Sequence, residues 1–205
     1  MPLTGRIEFK LPTDAQPEDL LLRVNDAVGL QWFGPEGDPR DSDLQSRLAS
    51  DVHLGAGFSA GGLSVEIDSF ESGRLTLQWT YNPALTPDDL AFLAGGERLE
   101  ALYTLDLIGL DGTPLHAARL QQNLTFSFDG INDPAVISGT VSASLSETDT
   151  VLTASGRLTA TDVDGDPVFV PLTGVAGDAG YGTFSINANG DWTWTANSAL
   201  NGLKQ

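Results

Sequence analysis

Short segments in which apolar and polar residues alternate dominate this chain. Alternation with a period of two places successive side chains on opposite faces, which is typical of antiparallel strands with one buried face. Turn-forming Gly, Asn, Asp and Pro residues separate these segments, and helical periodicity is scarce. The pattern therefore predicts an all-β fold. The clearest predicted strands are residues 63–67, 74–80, 124–128, 156–160 and 191–195.

One segment favours a helix instead. Thr86 is a suitable N-cap, Pro87 stands at the first helical position, and two acidic residues follow in the first turn. The pair Gly95-Gly96 is typical of a segment that ends a helix. We therefore expect one short helix over residues 86–93.

Two landmarks occur twice in the same order, which indicates an internal repeat. Residues 3–7, Leu-Thr-Gly-Arg-Ile, are echoed within residues 152–158, and the strand, turn and strand of residues 62–77 are echoed at residues 182–194. We predict two tandem modules, residues 1–133 and 134–205, with the same strand order. The second module is expected to be C-terminally incomplete.

Residues 31–43 have no equivalent in the second copy and form a polar, turn-rich insertion apart from Trp32 and Phe33. Most insertions of this kind are surface variation, although binding residues are often placed on loops. A binding site around these two aromatic residues is therefore an alternative for function.

The formal net charge of -18 and the sequence pI near 4.1 narrow the range of partners. Such a surface repels nucleic-acid phosphates and anionic lipids, whereas it attracts divalent cations. There is no cysteine, so neither disulfides nor thiol chemistry are available. No apolar run is long enough to insert into a membrane, and residues 1–4 do not begin a signal peptide. The last residues lack a final strand pattern, from which we expect a fragment of a longer protein.

Three motifs resemble the VCBS repeat of large bacterial surface proteins. They are the boundary segment 128–136, the acidic segment 152–166 and the hairpin 181–194. The resemblance implies tandem cadherin-like or immunoglobulin-like β-sandwich modules. It also implies a spacer role in a type I secreted, RTX-type adhesin on the bacterial surface or in a biofilm. The first module departs from the pattern, because residues 10–19 replace the acidic turn.

The acidic segment indicates a metal site. Asp162, Asp164 and Asp166 are spaced by two, and Gly165 allows the chain to turn so that the carboxylates converge. Calcium accepts six to eight oxygen ligands in flexible geometry, so it suits this set better than magnesium. Thr173 stands where an EF-hand requires a Glu, which excludes that motif. An ordinary solvated turn is the alternative.

Analogy with cadherin junctions adds ligands from the boundary segment and from an early Glu. The expected calcium ligands are Asp129, Asn132, Asp133, Glu147, Asp162, Asp164 and Asp166. An ion shared across the boundary is expected to couple the two modules and stiffen the spacer.

The sequence gives little support for a zinc site, a catalytic site or a sugar-binding site. His53 and His116 lie in dissimilar contexts, so neither a zinc site nor a catalytic triad is expected. Trp192 and Trp194 share one face of a strand, where alternating tryptophans are more often core than a sugar-stacking platform. Trp192 is therefore expected to be buried, with its two strand neighbours exposed. Three Asp-Pro bonds raise self-processing as a remote alternative.

We therefore expect a non-enzymatic spacer that is stiffened by calcium in a cell-adhesion or biofilm protein. Its expected partners are the neighbouring modules, together with a host or matrix glycan or protein. The alternative is a glycan- or protein-binding module that uses the insertion.

Overall fold

The computed structural model describes residues 2–12, 15–24, 29–58, 62–110, 120–146 and 148–198. The chain divides into two compact units, Met1–Asn132 and Asp133–Gln205. The sheets of both units are antiparallel, so the all-β prediction is confirmed. None of the described helices is long and apolar enough to cross a membrane.

The strands described in the first unit form two sheets. They are β1 (Leu3–Lys10), β2 (Leu20–Val24), β3 (Gly29–Phe33), β4 (Leu63–Glu71), β5 (Arg74–Tyr81), β6 (Arg98–Gly109) and β7 (Leu120–Asp129). One sheet has the order β1-β5-β4. In the other, β2 and β3 pair with different halves of β6, and β7 pairs along nearly the whole of β6.

The core of the first unit lies where aromatic side chains of these two sheets meet. Tyr81 of β5 stacks on Phe126 of β7 with ring centroids 3.8 Å apart. The Tyr103 hydroxyl donates to the Phe58 carbonyl at 3.0 Å and lies 3.2 Å from the Tyr81 hydroxyl. Burial raises the pKa of both tyrosines, so both hydroxyls keep their protons. Alternate positions of the central strand β6 complete this core, namely Leu99, Ala101, Tyr103, Leu105 and Leu107.

The described helices all lie in the first unit. They are α1 (Asp41–Ser50), α2 (Val52–Gly57) and α3 (Pro87–Leu90), after a short 3-10 helix at Pro17–Asp19. The predicted helix is present as α3, where the Asp89 carboxylate accepts bonds from the N–H and hydroxyl of Thr86, both at 2.7 Å. It ends at Leu90 rather than at residue 93. The sequence analysis missed α1 and α2, in which Leu44 and Leu54 are buried.

The insertion of residues 31–43 is not a free loop. Residues 31–33 end β3 and residues 41–43 begin α1, so only residues 34–40 connect regular elements. Trp32 is buried, and its indole N–H donates to Glu97 Oε2 at 3.2 Å. Arg40 Nη1 lies 2.7 Å from Glu97 Oε1, and the Arg40 guanidinium lies over the Trp32 ring. The Glu97 carboxylate therefore holds this segment against the unit.

The second unit contains one antiparallel sheet of five described strands with the order β10-β11-β12-β9-β8. The strands are β8 (Val136–Gly139), β9 (Thr153–Thr161), β10 (Leu172–Ala176), β11 (Gly182–Ile186) and β12 (Asp191–Ala196). Only Ile186, Trp192 and Ala196 are buried apolar residues among those described in this unit. The core of the second unit is therefore much smaller than that of the first.

Three strands have the same order in both units, as the repeat predicted. The order β1-β5-β4 in the first unit corresponds to β9-β12-β11 in the second. In each unit a glycine lies opposite a tryptophan, Gly5 with Trp79 and Gly156 with Trp192. A Cβ atom at position 156 would lie 2.7 Å from Trp192 Cζ2, so the indole ring covers a site that only glycine leaves open.

The two units differ in the register of these strands. Trp79 stands six positions after the hairpin glycine Gly73, whereas Trp192 stands two positions after Gly190. The difference of four positions is even, so the same faces of the strands stay aligned. Beyond these three strands the topologies diverge, because the second unit adds β10 and β8 to the two edges of the same sheet.

The predicted orientation of Trp192 is confirmed. Its side chain is 7% exposed, while Asp191 and Thr193 are exposed. The Trp192 indole N–H donates to the Thr140 carbonyl at 2.8 Å, and its ring stacks near Phe184. Trp192 thereby joins β12 to the chain that follows β8.

We predict that Trp192→Ala lowers the free energy of unfolding of the second unit by about 3–5 kcal/mol, as for other large aromatic residues truncated in cores. The loss has two sources, the buried ring and the bond to Thr140. Chemical denaturation followed by amide signals of the second unit measures it. Val170→Ala is the control: its side chain is 78% exposed, and a change within about 0.5 kcal/mol is expected. Equal effects of the two variants would contradict a core role for Trp192.

Candidate metal site

The acidic turn directly follows β9, the strand that lies next to the central hairpin of the second unit. Asp162 and Asp164 are half-buried, whereas Gly165 and Asp166 are exposed. The backbone N–H of Asp164 donates to Asp162 Oδ1 at 3.3 Å, a local bond that curls the chain back on itself. The turn therefore brings the first two carboxyl groups together.

A second bond joins this turn to the beginning of the same unit. The backbone N–H of Asp133 donates to Asp164 Oδ2 at 2.9 Å, although the two residues are 31 positions apart. Pro134 follows directly and cannot donate a bond of its own. Asp133 therefore contributes a backbone donor to the site, a role that the sequence analysis, which considered only its oxygen atoms, did not foresee.

The pKa values of the two carboxyl groups of the turn are shifted in opposite directions. A hydrogen bond with the Asp164 side chain raises the pKa of Asp162, and the nearby Asp164 charge acts in the same direction. The Asp133 backbone N–H lowers the pKa of Asp164, and the side-chain bond with Asp162 lowers it further. Two carboxylates within hydrogen-bond distance repel each other unless a proton or a cation lies between them. This pair therefore offers two oxygen ligands to a cation that replaces the proton.

Two of the other predicted ligands, Asp129 and Asn132, belong to the first unit. Asp129 ends β7 of the first unit, is exposed and stands opposite Arg98 in the strand register. Asn132 also belongs to the first unit, where its backbone and Cβ lie next to Gly95. Glu147 lies outside the described residues. Across the described part of the chain, no three His, Cys, Asp or Glu side chains are gathered closely enough to hold a metal ion together.

The positions of the two histidine side chains relative to the site are not described, because His116 and the side chain of His53 lie outside the described residues. Trp194 is half-buried and lines an apolar groove with Phe184 and Leu158. The chain after β8 borders the same groove with Val141, Ser142, Ala143 and Leu145, which the sequence analysis did not single out. Residues 141–146, Val-Ser-Ala-Ser-Leu-Ser, alternate apolar residues with serine, and this alternation could have drawn attention to the segment.

Comparison with known proteins supports an immunoglobulin-like module in the second unit. Residues 132–205 match the family model described as bacterial Ig domain. This match suggests a structural or surface module of a type that is typically non-enzymatic. No curated protein matches the chain significantly.

Among solved structures, a crystal structure of domains from titin is similar, with 12% sequence identity and a TM-score of 0.25. The similarity covers 98% of this chain and 56% of that one. The chain thus spans little more than half the length of the titin chain. The all-β architecture follows from the strand pairing, and the immunoglobulin-like character of the second unit is supported by the family match.

We predict that Asp162 binds its proton up to a higher pH than an ordinary aspartate when divalent cations are absent. Because the Asp164 side chain is the main cause, Asp164→Ala should return the pKa of Asp162 towards the ordinary value of about 3.9. Carboxyl-detected NMR titration of the full chain with chelator measures both values. Asp166→Ala is the control and should leave the pKa of Asp162 unchanged. A pKa of Asp162 that is the same in the wild type and in Asp164→Ala would contradict the pairing.

Proposed function

We propose that this protein is an extracellular spacer of a bacterial surface adhesin, of the VCBS-like, RTX-type, type I secreted kind, and acts in cell adhesion or biofilm formation. The observation that carries the proposal is the match of residues 132–205 to the bacterial Ig domain. A spacer needs modules that resist extension, and antiparallel sheets with hydrogen bonds between neighbouring strands supply such resistance. In this role the partners are neighbouring modules and a host or matrix glycan or protein.

Calcium is the proposed cofactor of the second unit. The Asp162 and Asp164 carboxylates supply the first ligands, and Asp166 and the Asp133 side chain are candidates for others in the same unit. The support is the close Asp162–Asp164 pair, which a hard cation relieves of its repulsion. Calcium suits such a site because it accepts variable numbers of oxygen ligands, whereas magnesium requires a strict octahedron. A site that is not preassembled should be weak, with a dissociation constant of about 10⁻⁴–10⁻³ M, as is typical of extracellular modules.

The alternative of a glycan- or protein-binding site in the insertion receives less support. The Trp32 ring is enclosed by the Arg40 guanidinium and by Phe92, whose ring centroid lies 5.0 Å away. Its indole N–H is already bonded to Glu97. Trp32 is therefore not a surface on which a sugar ring can stack. Phe33 is half-buried, with the Arg98 guanidinium over its ring.

We expect calcium to stabilise the folded chain. For a dissociation constant of about 10⁻⁴–10⁻³ M, calcium at about 10 mM should add about 1.4–2.7 kcal/mol to the free energy of unfolding of the second unit. Denaturant unfolding with calcium and with chelator measures this gain. Asp164→Ala should abolish it, while Asp178→Ala, at an exposed acidic residue in another turn, should retain it. No gain in the wild type, or an equal gain in Asp164→Ala, would exclude calcium from this turn.

The spacer role predicts resistance to force applied through the two ends of the chain. Each unit should unfold in its own step, because each is compact by itself. Unfolding the 73 residues Asp133–Gln205 should release about 250 Å of chain, and unfolding the first unit about 460 Å. Single-molecule force spectroscopy measures these lengths. Extension of the second unit without a force peak, both with calcium and with chelator, would argue against a spacer.

A further inference from the structure

An apolar groove of about 500 Å³ lies on one face of the sheet of the second unit. Its floor is formed by Ala154, Leu158, Phe184, Trp192 and Trp194, and the chain after β8 lies beside it. None of the lining residues is charged, and the Phe184 and Trp194 side chains are only half-buried. Contiguous apolar surface that is left uncovered in this way marks an interaction site.

The floor of this groove has a counterpart in the first unit. The strand order β9-β12-β11 corresponds to β1-β5-β4, and alignment of Trp192 with Trp79 places Trp194 at the position of Tyr81. The paired rows are Gly156–Trp192–Ile186 and Ala154–Trp194–Phe184 in the second unit, and Gly5–Trp79–Val65 and Leu3–Tyr81–Leu63 in the first. Since the rows match in strand, spacing and face, the groove corresponds to a defined place in the first unit.

In the first unit this place is filled by strands β6 and β7. Phe126 of β7 stacks on Tyr81 with ring centroids 3.8 Å apart and lies edge-on to Trp79 at 5.3 Å. Tyr103 of β6 lies edge-on to Tyr81, also at 5.3 Å. Under this layer Tyr81 is fully buried, whereas its counterpart Trp194 is only half-buried. Among the described residues of the second unit, no strand lies at the equivalent place.

We propose that the groove is the docking site for a pair of antiparallel strands equivalent to β6 and β7, which the same polypeptide supplies after Gln205. The order of elements supports this source, because only α3 separates β6 from β5 in the first unit. β6 begins 17 positions after the end of β5, and the same interval after β12 leads to about eight positions beyond Gln205. An aromatic side chain of the second docked strand should lie against Trp194, as Phe126 lies against Tyr81.

A second copy of residues 1–205 is a poorer source of these strands. Phe126 and Tyr103 are 5% and 0% exposed, because they already form the core of the first unit. A second copy could therefore donate β6 and β7 only by opening its own first unit, which would expose that core to water. A continuing chain pays no such cost, since its next strands have no other apolar face to cover.

The natural continuation of the gene provides the test. The chain that ends at Gln205 is compared with a chain extended through the next two predicted strands, by denaturant unfolding followed by amide signals of β9 and β12. The extension should shift the unfolding midpoint of the second unit to higher denaturant concentration and slow amide exchange in β12, because it buries the apolar floor of the groove. The side-chain signals of Trp194 should shift as well.

Ala154→Asp should abolish this gain in the extended chain, because it places a charge in the floor of the groove. Leu158→Asp tests the same floor at a second position and should act alike. Ser155→Asp is the matched control: Ser155 is exposed on the opposite face of β9, where it pairs with Thr193, so the gain should remain. Each variant is first shown to keep the circular dichroism spectrum of the shorter chain, so that a lost gain is not a loss of fold.

Equal unfolding midpoints of the shorter and the extended chain would overturn the proposal, as would a gain that both floor variants leave intact. A gene that stops after Gln205, or that continues without two further strand patterns, would also overturn it. Sedimentation equilibrium of the shorter chain covers the remaining case. A dimer that Ala154→Asp dissociates and that the extension leaves intact would assign the groove to a second copy instead.

Discussion

Burial of one face of each antiparallel sheet is the constraint on which both units depend. In the first unit the two sheets satisfy it together, because Tyr81 of one sheet stacks on Phe126 of the other and bonds to Tyr103. In the second unit a single described sheet carries its apolar residues with no equivalent layer over them. The same constraint therefore explains a closed core in one unit and an open groove in the other.

The acidic turn depends on a more local effect, the electrostatic interaction between two neighbouring carboxyl groups. Two carboxyl groups are held close by local backbone bonds and by the N–H of Asp133. The geometry makes their charge state depend on a shared proton or on a cation.

Much of the fold was predictable because strands are encoded locally. All five strands predicted from alternation are present, and Trp192 is buried between exposed neighbours. The capping pattern at Thr86 located α3. Helices α1 and α2 were missed because burial of Leu44 and Leu54 depends on contacts with distant residues, which local propensity does not report. The candidate site was predictable in part, since the spacing of Asp162 and Asp164 indicated their proximity.

The sequence by itself determined the strand pattern, the acidic character and the two landmarks that occur in both halves of the chain, because each depends on residue type and on short spacing. Only the tertiary structure decided that Trp32 is enclosed by Glu97 and Arg40 rather than exposed for binding. It alone placed the Asp133 N–H against the Asp164 carboxylate and placed Trp194 beside an apolar groove. Such contacts join residues that are 31 to 65 positions apart, and their partners are set by how sheets and turns pack rather than by any local pattern.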